Sequence, residues 1–431
     1  MSFRTKFVLA ILSGTLALYA VIGSWIASNA QQPINDPGAQ MRILESVLQH
    51  IQNDYVDEPN MDKVRAGALR GLAGGLDPYS TYLTPEQVKS YKAGGSEQTG
   101  IGAELSQVAA YLYVVAPVKG SPADKAGLQA GDVIEYIDTK ATRDISLYDA
   151  KQLLSGTAAS EVKLRVLRSG TTPTTITVKR GAFKIPEPES RMEAGKVGVI
   201  QIYSLAKGEA ALVKARLQDL IKQGSQKIIV DLRGVAGGEL AEGIAVANLF
   251  IKEGALAQTI GKEGKSLKTF NAESAGFVFD GQAVVMIDEG TAGASEVVAG
   301  AFVESKRGDV VGEKSFGAGA EQQLFTLRDG DGLLLTTVKW ASGGGKPFLG
   351  EDRSKSGIAP TVKVEREDVS KIDAEGLENG EAEVTPSPEN NGSKGETQQP
   401  NKPKKPKEDL QLKKALELLK EKTSPALPKT A

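Results

Sequence analysis

Between Lys196 and Val364, short apolar runs alternate with longer stretches of helical period, and this alternation restricts the fold more than any other feature. Val197 to Tyr203, Lys227 to Asp231 and Ala283 to Asp288 are apolar runs of strand length. A strand that is apolar along its whole length is covered on both faces, as in a parallel sheet between two layers. Leu205 to Gln223, Glu239 to Phe250 and Ala294 to Ser305 carry helical spacing between those runs. The pattern predicts an α/β core over 184–365, with helices packed on a largely parallel sheet.

The flanking regions have other periods. Over 40–93 the chain reads as helical. Leu44, Val47, Leu48, Ile51 and Tyr55 share one apolar face, and His50 lies off it. A second helix is predicted near Met61 to Leu72 and is broken at Leu76-Asp77-Pro78-Tyr79-Ser80, since proline bars helix continuation. The segment 94–180 reads as a compact β-rich module with a strand at Tyr111 to Ala116, a helix at Ile145 to Leu154 and a strand at Val162 to Leu167. From 366 to 408 Pro, Asn, Glu, Lys, Ser and Gly dominate without apolar period, the composition of a disordered linker. A helix returns over 409–422 with Leu412, Ala415, Leu416 and Leu419 on one face, suited to a partner or to the chain's own body. The fold class expected is therefore a mixed, multidomain α/β chain.

The first 31 residues read as an export segment. Arg4 and Lys6 precede the apolar stretch Phe7 to Ala27, and Ser28-Asn29-Ala30 offers small residues to a signal peptidase. The stretch suits a cleaved signal or an uncleaved membrane anchor. Either places the remainder outside the cytoplasm, in a periplasm or at the outer face of the cytoplasmic membrane, with membrane contact through this segment alone.

Composition narrows the chemistry. The 431 residues carry a formal net charge of −2, so no bulk field draws nucleic acid. With no cysteine and one histidine, the chain has no thiolate nucleophile, no Cys-containing zinc site and no His-rich metal centre. No cofactor or metal is expected.

Three glycine-bearing stretches give the β-rich module its character: Gly100-Ile101-Gly102-Ala103, Gly120-Ser121-Pro122-Ala123 through Leu128, and Gly131-Asp132-Val133-Ile134. The module resembles a PDZ domain. A glycine turn can present successive backbone N–H groups to a terminal carboxylate, and the adjoining strand edge can accept a peptide as an added strand.

The whole order of motifs resembles the carboxyl-terminal processing (tail-specific) serine protease family. It includes Leu76-Asp77-Pro78-Tyr79-Ser80, Asp231-Leu232-Arg233 with Gly237-Gly238, Thr291-Ala292-Gly293-Ala294-Ser295-Glu296, Phe316-Gly317-Ala318-Gly319 and Gly357-Ile358-Ala359-Pro360. The resemblance implies cleavage near protein C-termini by a Ser/Lys dyad, in which a neutral lysine takes the serine proton. In the family pattern the nucleophile is the middle serine of Ser-Ala-Ser-Ala-Ser-Glu and the lysine stands in Phe-Gly-Lys-Gly. Here Gly293 and Ala318 occupy those positions, 25 residues apart, the separation the resemblance implies without a gap. By the same resemblance Gln322 matches the glutamine that holds the lysine, and the Gly237 and Ala294 N–H groups match the oxyanion donors. Ala236 replaces the family's asparagine, Thr361 its usual aspartate, and Ala341 to Gly345 departs from its proline-containing turn.

Two functions compete. The first is an exported, catalytically degenerate peptidase homologue that binds protein C-termini or unfolded segments, with an active paralogue or a second copy of itself as a further partner. The alternative is an active serine endopeptidase using a shifted pair, Ser295 and Lys314. Against the shifted pair, Ser295 would point about 200° from position 293 on a helix that turns about 100° per residue. A third reading is a structural envelope protein that makes contact through the 409–422 helix.

Overall fold

The computed structural model describes residues 37–93, 99–169, 171–366 and 408–421. The expected export segment, residues 1–31, and residues 367–407 of the expected linker lie outside the described residues. Among those described, no helix is long and apolar enough to cross a membrane. The chain forms two units, residues 1–68 and 69–431.

Helix α1 (Pro37–Asp54) belongs to the first unit, and α2 (Met61–Gly74) runs across its end. Val47 and Leu48, on the apolar face expected of α1, remain exposed. His50 Nδ1 lies 2.6 Å from Asp54 Oδ2 on an exposed surface, one helical turn away.

The second unit begins its regular structure with β1 (Thr81–Leu83) and α3 (Pro85–Lys92). Proline at the first turn and a reciprocal cap between Thr84 and Gln87 fix where α3 starts. The β-rich module follows: β2 (Ala103–Val108), β3 (Tyr111–Pro117), α4 (Pro122–Lys125), β4 (Val133–Ile137), β5 (Lys140–Ala141), α5 (Leu147–Leu154), β6 (Glu161–Leu167) and β7 (Thr174–Lys179). Its strands lie in the order β2-β3-β4-β6-β7, with β5 beside β4, and all pairs are antiparallel. Ser146 caps α5, so the helix starts two residues later than the apolar period suggested.

The α/β core contains β8 (Glu189–Glu193), β9 (Val197–Gln201), α6 (Glu209–Lys222), β10 (Lys227–Asp231), α7 (Leu240–Asn248), β11 (Ala255–Ile260), β12 (Ser266–Asn271), β13 (Gln282–Ile287), α8 (Ala294–Ser305), β14 (Asp309–Gly312), β15 (Ala320–Thr326), β16 (Gly332–Ser342) and β17 (Val362–Lys363). The sheet β17-β14-β13-β10-β9 is parallel, as the apolar runs required, and β8 closes one edge antiparallel. Two features depart from expectation. Helix α6 begins at Glu209 rather than Leu205, because the Glu242 carboxylate accepts the Gly208 and Ala210 N–H groups at 2.9 and 2.8 Å and caps the chain there. A second, wholly antiparallel sheet, β1-β16-β11-β12 with β15 on β16, was not legible in the sequence. Its outer strands alternate weakly: β12 is exposed at nearly every position.

Alternate residues of the parallel strands enter two cores. Ile200, Ile228, Val230, Val285, Ile287 and Val310 pack under α6, α7 and α8. Val197, Val199, Ile229, Val284, Met286 and Val311 face the other way, where α9 (Leu410–Glu421) covers them with Ala415 and Leu419. The C-terminal helix therefore docks on the chain's own body. A parallel sheet left open on one face would expose a continuous apolar surface, and α9 supplies the missing layer. Its start is tied down by Asp409, whose two carboxylate oxygens each lie 2.9 Å from the Arg233 guanidinium, and its end by Lys227 Nζ, which donates to the Leu419 carbonyl at 2.6 Å.

Burial pushes the Asp409 carboxyl up, but the Arg233 guanidinium and the Leu412 N–H outweigh it and hold the group below the usual aspartate range. A carboxyl depressed on folding contributes its stability above its unfolded pKa and loses it as the pH falls through the folded one. Docking of α9 should therefore weaken below about pH 4, by under about 1 kcal/mol for this half-exposed pair. Protection factors of the α9 amides, with the intrinsic pH dependence of exchange divided out, are expected to fall at low pH in the wild type and to change little with pH in Asp409→Asn.

Candidate functional site

Three loops of the core meet at the N-terminus of α8. The first follows β10 (residues 232–238), the second follows β13 (288–293), and the third follows β14 (313–319). Glu296, in the first turn of α8 and fully buried, ties the second loop to the third. Its Oε2 accepts the Gly293 N–H at 2.9 Å and the Ala318 N–H at 2.8 Å. Its Oε1 accepts the Gly317 N–H at 2.8 Å and the Ser315 hydroxyl at 2.5 Å. Burial raises the carboxyl above its usual range, while these four donors pull in the opposite direction. The backbone N–H groups of positions 293 and 318 thus meet at one oxygen atom, and neither residue carries a hydroxyl or an amine.

Gly293 has φ 68° and ψ −118°, a region that L side chains rarely enter. A Cβ built on it would stand 3.0 Å from the Gly237 carbonyl oxygen. That same oxygen accepts the Ala294 N–H at 3.0 Å. The group expected as an oxyanion donor is thus engaged with the peptide of the other expected donor position.

The fallback residues are also engaged. Ser295 is fully buried, and its Oγ donates to the Val235 carbonyl at 2.9 Å. Lys314 Nζ donates to the Arg353 and Ser354 carbonyls, each at 2.9 Å. Gln322, on β15, donates its amide to Thr336 Oγ1 at 3.4 Å, and Thr336 donates in turn to Asp77 Oδ1 at 3.0 Å. It therefore belongs to a polar link between β15, β16 and the Asp77 turn. Thr361 Oγ1 accepts the Val310 N–H at 2.8 Å, which pins β14 beside the chain leading to β17.

The β-rich module lies directly on these loops. Val108, Tyr113, Val115, Val133 and Leu167 form one apolar cluster with Ala292 and Phe316, and Ala236 and Ala318 pack against it. The rings of Tyr113 and Phe316 stack with centroids 5.7 Å apart. The Arg353 guanidinium carbon lies 4.0 Å from the Phe316 ring centre. Ala318 therefore fills a small apolar place under the module.

Within the module, the carbonyls of the Gly100 to Ala103 turn are committed inward. Gly100 accepts from the Gly181 N–H, Ile101 from the Ala123 N–H, and Gly102 from the Val118 N–H and the Ser121 hydroxyl. Ala103 opens β2, opposite Pro117. Gly102 has φ 73°, and a Cβ there would come within 2.5 Å of Ser121 and 2.6 Å of the Phe183 ring, so the turn accepts glycine alone. Strand β2 stands at the end of its sheet, with α5 beside it.

The comparisons with known proteins agree with this geometry. Residues 196–364 match the model of peptidase family S41, and residues 113–168 match that of a PDZ domain. Over 365 residues the chain is 32% identical to the carboxy-terminal processing protease CtpA of Bacillus subtilis (strain 168), spanning 84% of this chain and 77% of that protein. The chain belongs to the carboxy-terminal processing proteases of family S41. It is likewise 33% identical to a probable CtpA-like serine protease of Staphylococcus aureus (strain bovine RF122 / ET3-1), over 84% of this chain and 73% of that one. The solved photosystem II D1 C-terminal processing protease is similar in fold, with a TM-score of 0.63 and 26% identity, over 80% of this chain and 92% of that chain.

Within this S41 frame, reading the sequence missed Glu296 as the knot of the site. The signal was present: a carboxylate three residues after the residue preceding a helix is the second half of a capping box. Tyr113 and Arg353 carried no comparable signal, because only the docking of the module brings them to Phe316.

Proposed function

We propose that this S41 homologue binds protein C-termini or extended polypeptide segments without cutting them. The observation that carries the reading is the pair Gly293 and Ala318 at the meeting point of the loops. Acyl transfer begins with a nucleophile and a base, and glycine and alanine supply neither. The placement of Ser295 and Lys314 supports it further. Each donates to different backbone carbonyls, Ser295 to that of Val235 and Lys314 to those of Arg353 and Ser354, and a working base must stand within about 3 Å of the proton it takes. The engagement of the Ala294 N–H removes a donor that a tetrahedral intermediate would need. The retained PDZ groove supports binding: a glycine turn for a carboxylate and an open strand edge for a backbone. The N-terminal sequence supports an exported protein in a periplasm or on the outer face of the membrane. An active paralogue or a second copy of this chain is the partner this reading favours.

The test is to incubate the purified protein with unfolded polypeptides and a serine-reactive phosphonate probe. No cleavage and no labelling are expected, with retention of tail peptides. Turnover that disappears in Ser295→Ala would establish the shifted pair instead and overturn this reading.

A further inference from the structure

The groove of the PDZ module is spanned by a charged pair. Glu104 stands on β2 and Lys151 on α5, and Lys151 Nζ lies 3.4 Å from Glu104 Oε1. The pair crosses from the strand wall to the helix wall, so an added strand must run past it. Both side chains are partly open to solvent, at 35% for Glu104 and 45% for Lys151. Exposed pairs of this separation are weak and readily exchanged.

The other oxygen of Glu104 faces the core. A Cβ built at Gly237 would lie 3.5 Å from Glu104 Oε2, which places this carboxylate beside the loop whose carbonyl engages Ala294. The Tyr79 phenol lies close by. Burial first, and then the charge of Glu104, raise its pKa, and a hydrogen bond with Ser106 of β2 opposes the rise. Glu104 therefore sits in one field with the groove on one side and the former catalytic loops on the other. A second anion arriving at Lys151 would compete with Glu104 for the amine and repel it.

We propose that Glu104 and Lys151 form a displaceable clasp across the groove, and that it selects polypeptide tails which set an acidic side chain against Lys151. This rests on the tail-binding reading and adds the class of tail. The glycine turn takes the terminal carboxylate; Lys151, one turn into α5, takes a carboxylate farther up the tail. A neutral tail leaves the clasp closed and meets a bridged groove. Such selection should weaken with salt, since the pair is exposed.

The experiment measures binding of two fluorescent decapeptides to the full-length protein by anisotropy. One carries Asp at each of the four positions before its C-terminal residue, and the other carries Asn there. The Asp peptide is expected to bind about two- to fivefold more tightly at low salt, the size of an exposed charge-pair preference. Lys151→Gln should remove that preference and, by opening the clasp, bind the Asn peptide at least as tightly as the wild type does. Glu104→Gln should tighten the Asp peptide further by freeing the amine. Equal binding of both peptides, or a preference unchanged in Lys151→Gln, overturns the clasp and leaves tail binding standing. Binding of neither peptide overturns tail binding itself, and the clasp with it.

Discussion

Gly293→Ser with Ala318→Lys is expected to give slow peptidase activity on unfolded substrates, whereas neither change alone is expected to do so. Gly293 and Ala318 donate their N–H groups to the same Glu296 oxygen, so the backbone already places the two positions together. A lysine at 318 would enter the apolar cluster of Tyr113, Val108 and Phe316, and desolvation there lowers an amine pKa, as a neutral base requires. Two features hold the rate down. Serine at position 293 must adopt φ near 68° and crowd the Gly237 carbonyl, a strain of about 1–3 kcal/mol that should appear as a lower melting temperature. The Ala294 N–H is bonded to that carbonyl, and one missing oxyanion donor lowers turnover about 10²–10³-fold. Labelling of the introduced serine by a phosphonate probe in the double variant, with slow digestion of an unfolded substrate, is the readout. A double variant that folds, binds tails and neither labels nor cleaves would show that the closed peptide at Gly237, and not the missing side chains alone, silences the site.

Glu296→Ala should be the most destabilising single change in the site. It would strand the N–H groups of Gly293, Gly317 and Ala318 and the Ser315 hydroxyl in a dry interior. Each orphaned buried donor costs about 1–3 kcal/mol, and with relaxation the total should reach about 3–5 kcal/mol. Glu296→Gln keeps the shape but presents an amide nitrogen to backbone donors, so it should fall between the wild type and alanine. Urea denaturation followed by tryptophan fluorescence measures both. A loss below about 1 kcal/mol in Glu296→Ala would mean that the loops are held by the module above them rather than by the carboxylate.

Much of the layered architecture could be read locally. The runs Lys227 to Asp231 and Ala294 to Ser305 coincide with β10 and α8 to the residue. These segments lie deep in the core, so period, length and burial all pointed one way. Strand β12 and the long β16 gave no such signal, because a half-exposed strand in a second layer owes its apolar positions to its neighbours. The helix at 410–421 was legible as a helix, yet its period could not say what it covers. That depended on the unsatisfied face of Val199, Ile229, Val284 and Met286, built from strands far away in sequence.

The sequence by itself determined the family, the order of the layers in the core and the absence of a hydroxyl at 293 and of an amine at 318, because residue identity and local period are properties of the chain alone. Only the tertiary structure decided that Ala294 turns its N–H to Gly237, that Glu296 joins two loops and that Glu104 and Lys151 meet across a groove. A donor's partner is chosen among groups brought together by folding, and nothing in local spacing ranks those candidates.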